Sequence, residues 1–244
     1  MNSKEAYLHH LVITCDNESV KRLLENGDIN INVRDEKGNH VIHKATKKRN
    51  VELLKLLLEA GANINSVNFE LNSALHVAIE NHAVDCVKLL LEKNIIVNII
   101  NSKEESELII ALKLSEVFRR EKDEIIKLLS NFEAYDLKME LSGRKNYLHY
   151  ACWKGNHFLA TKLITEYPEL HARDYLNDYP IHFAVWCGHN SVANLMFERI
   201  PKLNINLLGA YNWTMLLWAA SRTQLATIEL LVSKGANCNF KRKD

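Results

Sequence analysis

The chain has 244 residues, with 31 Lys and Arg against 30 Asp and Glu, so its formal net charge is +1. Its residues are 47% hydrophobic and 25% charged, as in ordinary globular proteins, and a near-neutral chain has no global field to collect nucleic acid or anionic membrane. The apolar runs fall far short of the roughly 20 residues that a membrane span needs, and no signal peptide pattern is visible at the N-terminus. We therefore expect a cytoplasmic protein that binds neither nucleic acid nor membrane.

Two small counts bear on the structure of the chain. Only 8 Gly and 3 Pro occur, which predicts many helices joined by short polar turns. The 5 Cys are odd in number and widely spread, without a C-x-x-C pair. This spacing predicts reduced, mostly buried thiols and argues against a zinc site.

Four segments repeat one pattern, in which a His follows an apolar residue and precedes an Ala by two positions: 39–45, 72–78, 145–151 and 178–184. His43 and His76 are 33 residues apart, as are His149 and His182. Each segment is followed by an apolar stretch of helical period and a polar turn, as in residues 51–65. The pattern resembles the ankyrin repeat, a unit of about 33 residues with a T-P-L-H-x-A signature.

This resemblance implies an all-α fold, an ankyrin-repeat solenoid of stacked helix-turn-helix units with β-turn-like fingers, in a single domain over residues 1–244. Seven repeats are predicted, at about 1–33, 34–66, 67–99, 100–139, 140–172, 173–207 and 208–244. The fourth is degenerate, because Ile109 replaces the His and the spacing to His149 stretches to 40 residues. For the excess, in residues 113–122, we predict a lengthened first helix or a helical turn, with a local distortion of the solenoid.

The ends of the second helices carry a further signal. Gly27, Gly61 and Gly235 stand just past them, where a left-handed residue ends a helix at little energetic cost. Asn94 and Glu133 hold this place in the third and fourth repeats. We predict that all of these positions end helices, with Asn tolerating the conformation better than Glu.

The patterned histidines resemble the family's structural His, which bonds to the backbone of a neighbouring turn: His9, His43, His76, His149 and His182. Lying one repeat apart, they cannot share a metal ion. The other six His show no metal-ligand spacing, and the chain has no phosphate-cradle or serine-hydrolase motif. We therefore predict a protein that is not an enzyme, with no catalytic residue, no metal and no cofactor.

In the ankyrin family, recognition positions lie four and five residues after this His and in the turn before it. Read this way, the candidate partner-binding residues are Trp153, Trp186, Tyr175, Tyr211, Trp213, Lys154, Arg222, Lys47, Lys48 and Phe69. Trp153 and Trp186 hold the same position in adjacent repeats, and all four Trp lie in repeats five to seven. Because Trp and Tyr are enriched in binding hot spots, we predict that a protein partner binds in the concave groove, mainly through these repeats.

Each of these assignments has an alternative. Trp153 and Trp186 could stack on one another and simply fill the groove, and Trp218 is expected to be partly in the core. The basic residues around Lys47 and Lys48 form either a solvated helix face or a surface for an acidic strip of the partner.

Three functions compete. The first is a monomeric, non-catalytic scaffold for a protein partner. The second is a targeting domain of a longer protein whose catalytic region is absent from this chain, because no polar capping repeat follows Asn239. The third, nucleic-acid binding, is disfavoured, since only Lys145, Lys154 and Arg222 accompany the aromatic residues. Enrichment in Asn, Lys and Ile points to an AT-rich genome, and hence to a bacterial effector acting in host cytoplasm as one interpretation.

Overall fold

The computed structural model describes residues 3–27 and 29–241. Within these residues it contains fourteen α-helices, and no β-structure beyond isolated bridges. The chain divides into two compact units, which we call the first unit (residues 1–135) and the second unit (residues 136–244). The division falls near the end of the predicted fourth repeat. The single-domain assignment and the distortion at that repeat stay predictions.

The first unit contains four helix pairs, one for each of repeats one to four. Their bounds are α1 Ser3–Thr14, α2 Asn17–Glu25, α3 Val41–Lys47, α4 Val51–Glu59, α5 Ala74–Glu80, α6 Val84–Glu92, α7 Glu107–Lys113 and α8 Arg119–Asn131. The two helices of a pair pack together, first helices stack on first helices, and second helices stack on second helices. Stacking is required because one short helix pair cannot bury its own apolar face.

The second unit repeats this plan three times, for repeats five to seven. Its helices are α9 Tyr147–Lys154, α10 His157–Glu166, α11 Pro180–Trp186, α12 Asn190–Arg199, α13 Met215–Ser221 and α14 Leu225–Ser233. Helix α11 packs on both α9 and α13. The fully buried apolar residues lie on facing sides of the pairs, such as Leu148, Leu163 and Ile181. The predicted all-α repeat fold is therefore confirmed.

Short turns precede the first helices from repeat two onward, and we call them fingers: residues 35–39, 68–72, 101–105, 141–145, 174–178 and 209–213. In every finger the backbone N–H of the first residue donates to the carbonyl of the fifth, at 2.7 to 3.0 Å. An Asp or Asn stands first in four of them: Asp35, Asn68, Asn101 and Asp174. Its side-chain oxygen accepts two backbone N–H groups of the same finger, so the finger is closed by its own sequence.

The patterned histidines are structural, as predicted. His43 Nε2 donates to the carbonyl of Asn72 at 3.0 Å, and His149 Nε2 to that of Asp178 at 3.3 Å. Each ring also accepts, through Nδ1, the N–H of the residue before its helix, at 3.2 Å in both cases. Burial lowers the pKa of His43 and His149 to about 4. The rings are therefore neutral and tie each repeat to the finger of the next.

His76 departs from this arrangement. Its Nδ1 accepts the N–H of Ser73 at 3.3 Å, but its Nε2 is buried without a well-directed hydrogen bond. The carbonyl that would accept this bond belongs to Glu105, at the end of the finger of the fourth repeat. The backbone of Ile99 also faces the ring. The interruption falls at the contact with the degenerate fourth repeat.

The excess residues of the fourth repeat are helical. A 3₁₀ turn at Glu116–Phe118 leads into α8, which has 13 residues where the other second helices have 9 or 10. The predicted helical turn is confirmed, whereas a lengthened first helix is wrong, because α7 has the same 7 residues as α3 and α5. Phe118 stacks on His82 of the third repeat with ring centres 3.9 Å apart. This contact anchors the turn.

The left-handed helix ends are largely as predicted. Gly27, Gly61 and Gly235 have φ of 75°, 88° and 88°, and Asn94 has φ of 55°. The prediction for Glu133 is wrong. Helix α8 ends at Asn131 and the chain leaves it through an extended Phe132, with φ −75° and ψ 121°, so no left-handed residue is needed.

Candidate protein-binding surface

Five predicted aromatic residues lie in the second unit, and we call them the aromatic face: Trp153, Trp186, Trp213, Tyr175 and Tyr211. Trp153 and Trp186 stand at the ends of α9 and α11, four residues after the structural His. Cys152 and Val185, directly before them, are fully buried, whereas 39% of Trp153 and 38% of Trp186 is exposed. Both indoles therefore present apolar surface beside the fingers.

Trp186 belongs to a cluster that crosses two repeats. Trp218 of α13 stacks on it with ring centres 5.5 Å apart, and Trp213 lies 4.7 Å from Trp218. Phe183 supports the cluster from the core side, 6.5 Å from Trp186, and the side chain of Gln224 donates to the carbonyl of Trp186 at 2.8 Å. Trp218 is half-buried, as predicted, and it is the ring that stacks on Trp186.

Trp153 has a different environment. Its ring centre lies 5.9 Å from that of Tyr150, and the Lys154 ammonium stands 4.7 Å above its ring. His189 Nε2 lies 3.1 Å from the carbonyl of Trp153, and the His189 ring fills the space above Gly155. The loop after α9 is therefore fixed by the loop after α11. The interpretation in which Trp153 and Trp186 stack on one another does not describe these contacts.

The two tyrosines stand at finger tips. Tyr175 is 73% exposed and Tyr211 is 75% exposed. Tyr211 and Asn212 are both left-handed, with φ of 57° and 54°, which makes the tip a type I′ turn. This turn favours Asn and Gly, and a bulky residue in it is strained.

Two of the predicted cations lie against the indoles. Lys154 stands over Trp153, and the Arg222 guanidinium lies 5.6 Å above the Trp186 ring. A cation over a ring is attracted by about 0.5–1 kcal/mol at an exposed site. Seven of the ten predicted residues are thus in the second unit, where Trp153 and Trp186 are each paired with a charge.

The other three predicted residues lie in the first unit. Lys47 and Lys48 line a cleft of about 550 Å³ between the fingers and the first helices of repeats two and three. Glu70 and Glu80 line the same cleft, so its charge is mixed. Lys44, in the same basic stretch, is tied to Asp35 at 2.9 Å.

Phe69 stands apart from this cleft. It is 64% exposed, but its ring lies directly over Gly38 of the preceding finger, where a Cβ atom would stand 2.6 Å from a ring carbon. Phe69 therefore covers a glycine in the neighbouring finger, which is a structural role. Its exposed side remains available to a partner.

Sequence reasoning missed part of the aromatic cluster. Phe183 is buried under Trp186, and the Lys145 ammonium stands 6.0 Å above its ring. Phe183 occupies the place directly after the structural His, where Tyr150 stands in the preceding repeat. An aromatic residue at this place in two adjacent repeats was the available signal.

Possible sites of other kinds are sparse. Across residues 3–27 and 29–241, no group of three or more His, Cys, Asp and Glu could hold a metal ion, and no helix is long and apolar enough to cross a membrane. The five cysteines are free. The expectation that most are buried is wrong, since only Cys86 and Cys152 are buried, and burial raises the pKa of Cys86 to about 11.

The fold and this surface define a helical repeat protein. A family model described as ankyrin repeats (three copies) matches residues 8–101 and 148–242, which is well over half of the sequence. The chain therefore belongs to the ankyrin repeat family. The match omits the region of the degenerate fourth repeat and its junction with the fifth.

Solved structures agree with this assignment. The chain is similar to the ankyrin repeat domain of Bcl-3, described as a unique member of the IkappaB protein family, with 21% identity, a TM-score of 0.71, and coverage of 92% of this chain and 97% of that one. It is also similar to the human ASB11 ankyrin repeat domain, with 22% identity, a TM-score of 0.74, and coverage of 94% and 98%. At this identity the likeness is one of fold. No curated protein matches the sequence.

Proposed function

We propose that the chain is a non-catalytic protein-interaction module whose partner binds to the aromatic face of repeats five to seven. Ankyrin repeat domains are typically interaction modules, which supports the general role. The observation that carries the specific proposal is the exposure of Trp153 and Trp186 at equivalent positions, beside the exposed Tyr175 and Tyr211. Aromatic residues of this kind contribute about 2 kcal/mol or more each when a partner removes them from water.

The proposal is tested by quantitative pull-down from cell extract with the full chain and the double variant Trp153→Ala/Trp186→Ala. The matched control is Tyr7→Ala, an exposed aromatic residue in α1 of the first unit. We expect the double variant to lose its specific partners at least tenfold, with the control unchanged and the thermal midpoints of all three proteins compared. Recovery of the same partners at equal strength by the double variant would show the proposal to be wrong.

Lys47, Lys48 and Phe69 are proposed as secondary contacts. The cleft lined by Lys47 and Lys48 has mixed charge, which supports a contribution of these two residues to the association rate more than to affinity, because exposed charges mainly steer the encounter. The predicted cytoplasmic location, monomeric state and effector role stay predictions.

A further inference from the structure

Cations stand over several rings of the second unit. The Lys154 ammonium stands 4.7 Å above the ring of Trp153, and the Arg222 guanidinium 5.6 Å above that of Trp186. The Lys145 ammonium stands 6.0 Å above the ring of Phe183, which itself supports Trp186. Lys145 is already paired with Asp174 at 3.4 Å, whereas Lys154 and Arg222 are held beside exposed rings, where an arriving carboxylate would meet each charge together with an indole.

The carboxylates of the same region already accept hydrogen bonds from backbone N–H groups. In the fingers and first helices of repeats five to seven, we find five Lys and Arg but only two acids, Asp174 and Asp178, across residues 141–155, 173–188 and 208–222. Asp174 Oδ1 accepts the N–H groups of Leu176 and Asp178 at 2.9 Å each. Asp178 Oδ1 accepts the N–H of Ala210 at 2.9 Å. Both acids hold fingers in place, so the surface offered to a partner is positive.

Two of the cations, Lys154 and Arg222, lie in the repeats on either side of helix α11. Cys187 follows Trp186, and its thiol is half-buried. Burial raises the pKa of Cys187, while the charges of Lys154 and Arg222 both oppose that rise. Helix α11 packs between α9, which ends at Lys154, and α13, which is followed by Arg222, so the two cations belong to the repeats on either side of α11. A ligand that lies across the end of α11 would reach both of them.

Resting on the proposed function, we infer that the partner segment bound by the aromatic face is acidic, with Asp or Glu residues on either side of an apolar or aromatic anchor. The anchor would cover Trp186 and the neighbouring finger tips. The carboxylates would pair with Lys154 and Arg222, where apolar surroundings strengthen a charge-assisted hydrogen bond relative to open water.

Cations and aromatic residues together also suit single-stranded nucleic acid, but the ring contacts favour the peptide. Base stacking needs a free ring face, and Trp186 already has Trp218 stacked on it and Arg222 above it. Lys154 likewise covers a face of Trp153. Trp186 therefore offers a partner its edge more than a free face, which suits aliphatic and aromatic side chains of a protein segment.

The first test is selection from a random peptide display library on the purified full chain. We expect the enriched peptides to be acidic, with an aromatic or large apolar residue between the acids. The same selection is run on Trp153→Ala/Trp186→Ala. Peptides that bind both proteins equally would overturn the proposed function. Peptides that need the tryptophans but carry no excess of Asp and Glu would overturn only this inference, and so would the enrichment of no peptide.

The second test exchanges charges with one resynthesised acidic peptide, followed by intrinsic fluorescence, since all four Trp lie in this unit. We expect Lys154→Glu and Arg222→Glu each to weaken binding at least tenfold, and a peptide with Lys in place of its acids to regain affinity for the variants. Lys21→Glu and Lys55→Glu are the matched controls, because both lysines are exposed on second helices of the first unit, outside every proposed contact; we expect changes within twofold.

One further variant and one further ligand complete this test. Arg222→Gln removes the charge without adding an opposing one, so a fivefold or larger loss with an unchanged thermal midpoint supports the inference where Arg222→Glu fails to fold. A single-stranded oligonucleotide of uniform sequence is titrated beside the peptide. Binding of the oligonucleotide more tightly than any selected peptide, with a steeper dependence on salt, would assign the surface to nucleic acid and overturn the inference.

Discussion

Repeats two to four and repeats five to seven share one backbone plan, but their fingers and first helices expose different chemistry. In the first group these segments, residues 34–48, 67–81 and 100–113, carry seven Lys and Arg, seven Asp and Glu, and no Trp. In the second group the corresponding segments carry five cations, two acids and all four Trp. The first group has mixed charge around a polar cleft, and the second has positive charge around exposed rings.

The difference shows how the repeat separates its structural residues from its exposed ones. Both groups keep the buried His that ties one repeat to the next finger, as His43 does in one and His149 in the other. These bonds use backbone carbonyls, so they constrain no exposed side chain. The positions four and five residues after the His are free to vary: repeat two has two Lys there, whereas repeats five and six each have a Trp at the first of them.

The largest effect that would test this comparison is acid destabilisation. Burial lowers the pKa of His43 and His76 in the first unit, and of His149 and His171 in the second, from 6.5 to about 4. The unfolded chain takes up protons below pH 6.5 while these buried rings stay neutral, so stability is lost as pH falls from 6.5 toward 4. Each ring accounts for about 2 kcal/mol between pH 7 and pH 5.

Glu107 makes the two units respond differently. Burial raises the pKa of this carboxyl from 4.5 to about 7, so the folded protein keeps a proton that the unfolded chain releases above pH 4.5. Its contribution to stability is present at low pH and is lost as pH rises through 7. Lowering the pH from 7 to 5 therefore raises the free energy of unfolding by about 2 kcal/mol through this group. Together these five groups lower the free energy of unfolding between pH 7 and pH 5 by about 4 kcal/mol in the second unit and by about half of that in the first.

The measurement is denaturant unfolding at pH 7 and pH 5, followed both by Trp fluorescence and by circular dichroism. Fluorescence reports the second unit, which holds every Trp, whereas circular dichroism reports all helices. A fluorescence midpoint that moves no more than the dichroism midpoint between the two pH values would contradict the predicted difference.

The next effect concerns how neighbouring repeats touch. Gly38 has φ of 75°, and a Cβ atom there would stand 2.6 Å from the Phe69 ring, whereas Gly61, with φ of 88°, has nothing within 4 Å of its Cβ position. We expect Gly61→Ala to lose about 1 kcal/mol for its left-handed backbone alone, and Gly38→Ala about 3 kcal/mol because the next finger must also move.

Gly155 is the counterpart in the second unit. A Cβ atom there would stand 2.6 Å from the His189 ring, so Gly155→Ala should resemble Gly38→Ala in urea unfolding. Equal losses for the three substitutions would mean that the contacts between repeats give way freely in both units.

A smaller effect isolates the buried carboxyl of the first unit. Glu107 accepts hydrogen bonds from the Ile99 N–H and the Tyr135 hydroxyl, each at 3.2 Å. Glu107→Gln keeps the shape and removes the ionisation, so we expect its gain in stability to be about 2.5 kcal/mol larger at pH 8 than at pH 5. Thermal unfolding of both proteins at the two pH values measures it. A gain that does not depend on pH would contradict the raised pKa of Glu107, because it would mean that the folded and unfolded carboxyl ionise alike.

The repeat plan could be predicted from the sequence because it is encoded locally. The spacing from His43 to His76 and the glycines after the second helices follow from one repeat and its neighbour. The end of α8 could not, because Glu133 fills the expected place while the chain leaves the helix two residues earlier. An extended exit at Phe132 carries no sequence mark comparable to a glycine.

The candidate surface could be predicted in position but not in pairing. Counting from the His placed Trp153 and Trp186 at exposed helix ends, and the structure has them there. Which ring meets which depends on the offset between successive repeats, and that offset brings Trp218 rather than Trp153 onto Trp186. The position of a residue within its repeat predicts the surface on which it lies, but it does not predict which residue of the next repeat it contacts.

The smallest expected effect separates stability from binding at two matched finger tips. Tyr211 in the second unit and Leu71 in the first are both bulky, exposed and left-handed, with φ of 57° and 58°. Asn adopts this conformation with less strain, so Tyr211→Asn and Leu71→Asn should each stabilise the protein by about 0.5 kcal/mol. Thermal unfolding measures this gain.

Binding should then divide the two variants. Under the proposed function Tyr211 contacts the partner, so Tyr211→Asn should weaken partner binding several-fold while it stabilises the fold. Leu71→Asn should leave binding unchanged. If both variants bind as the natural protein does, Tyr211 is only a strained turn residue, and the aromatic face would end at the indoles.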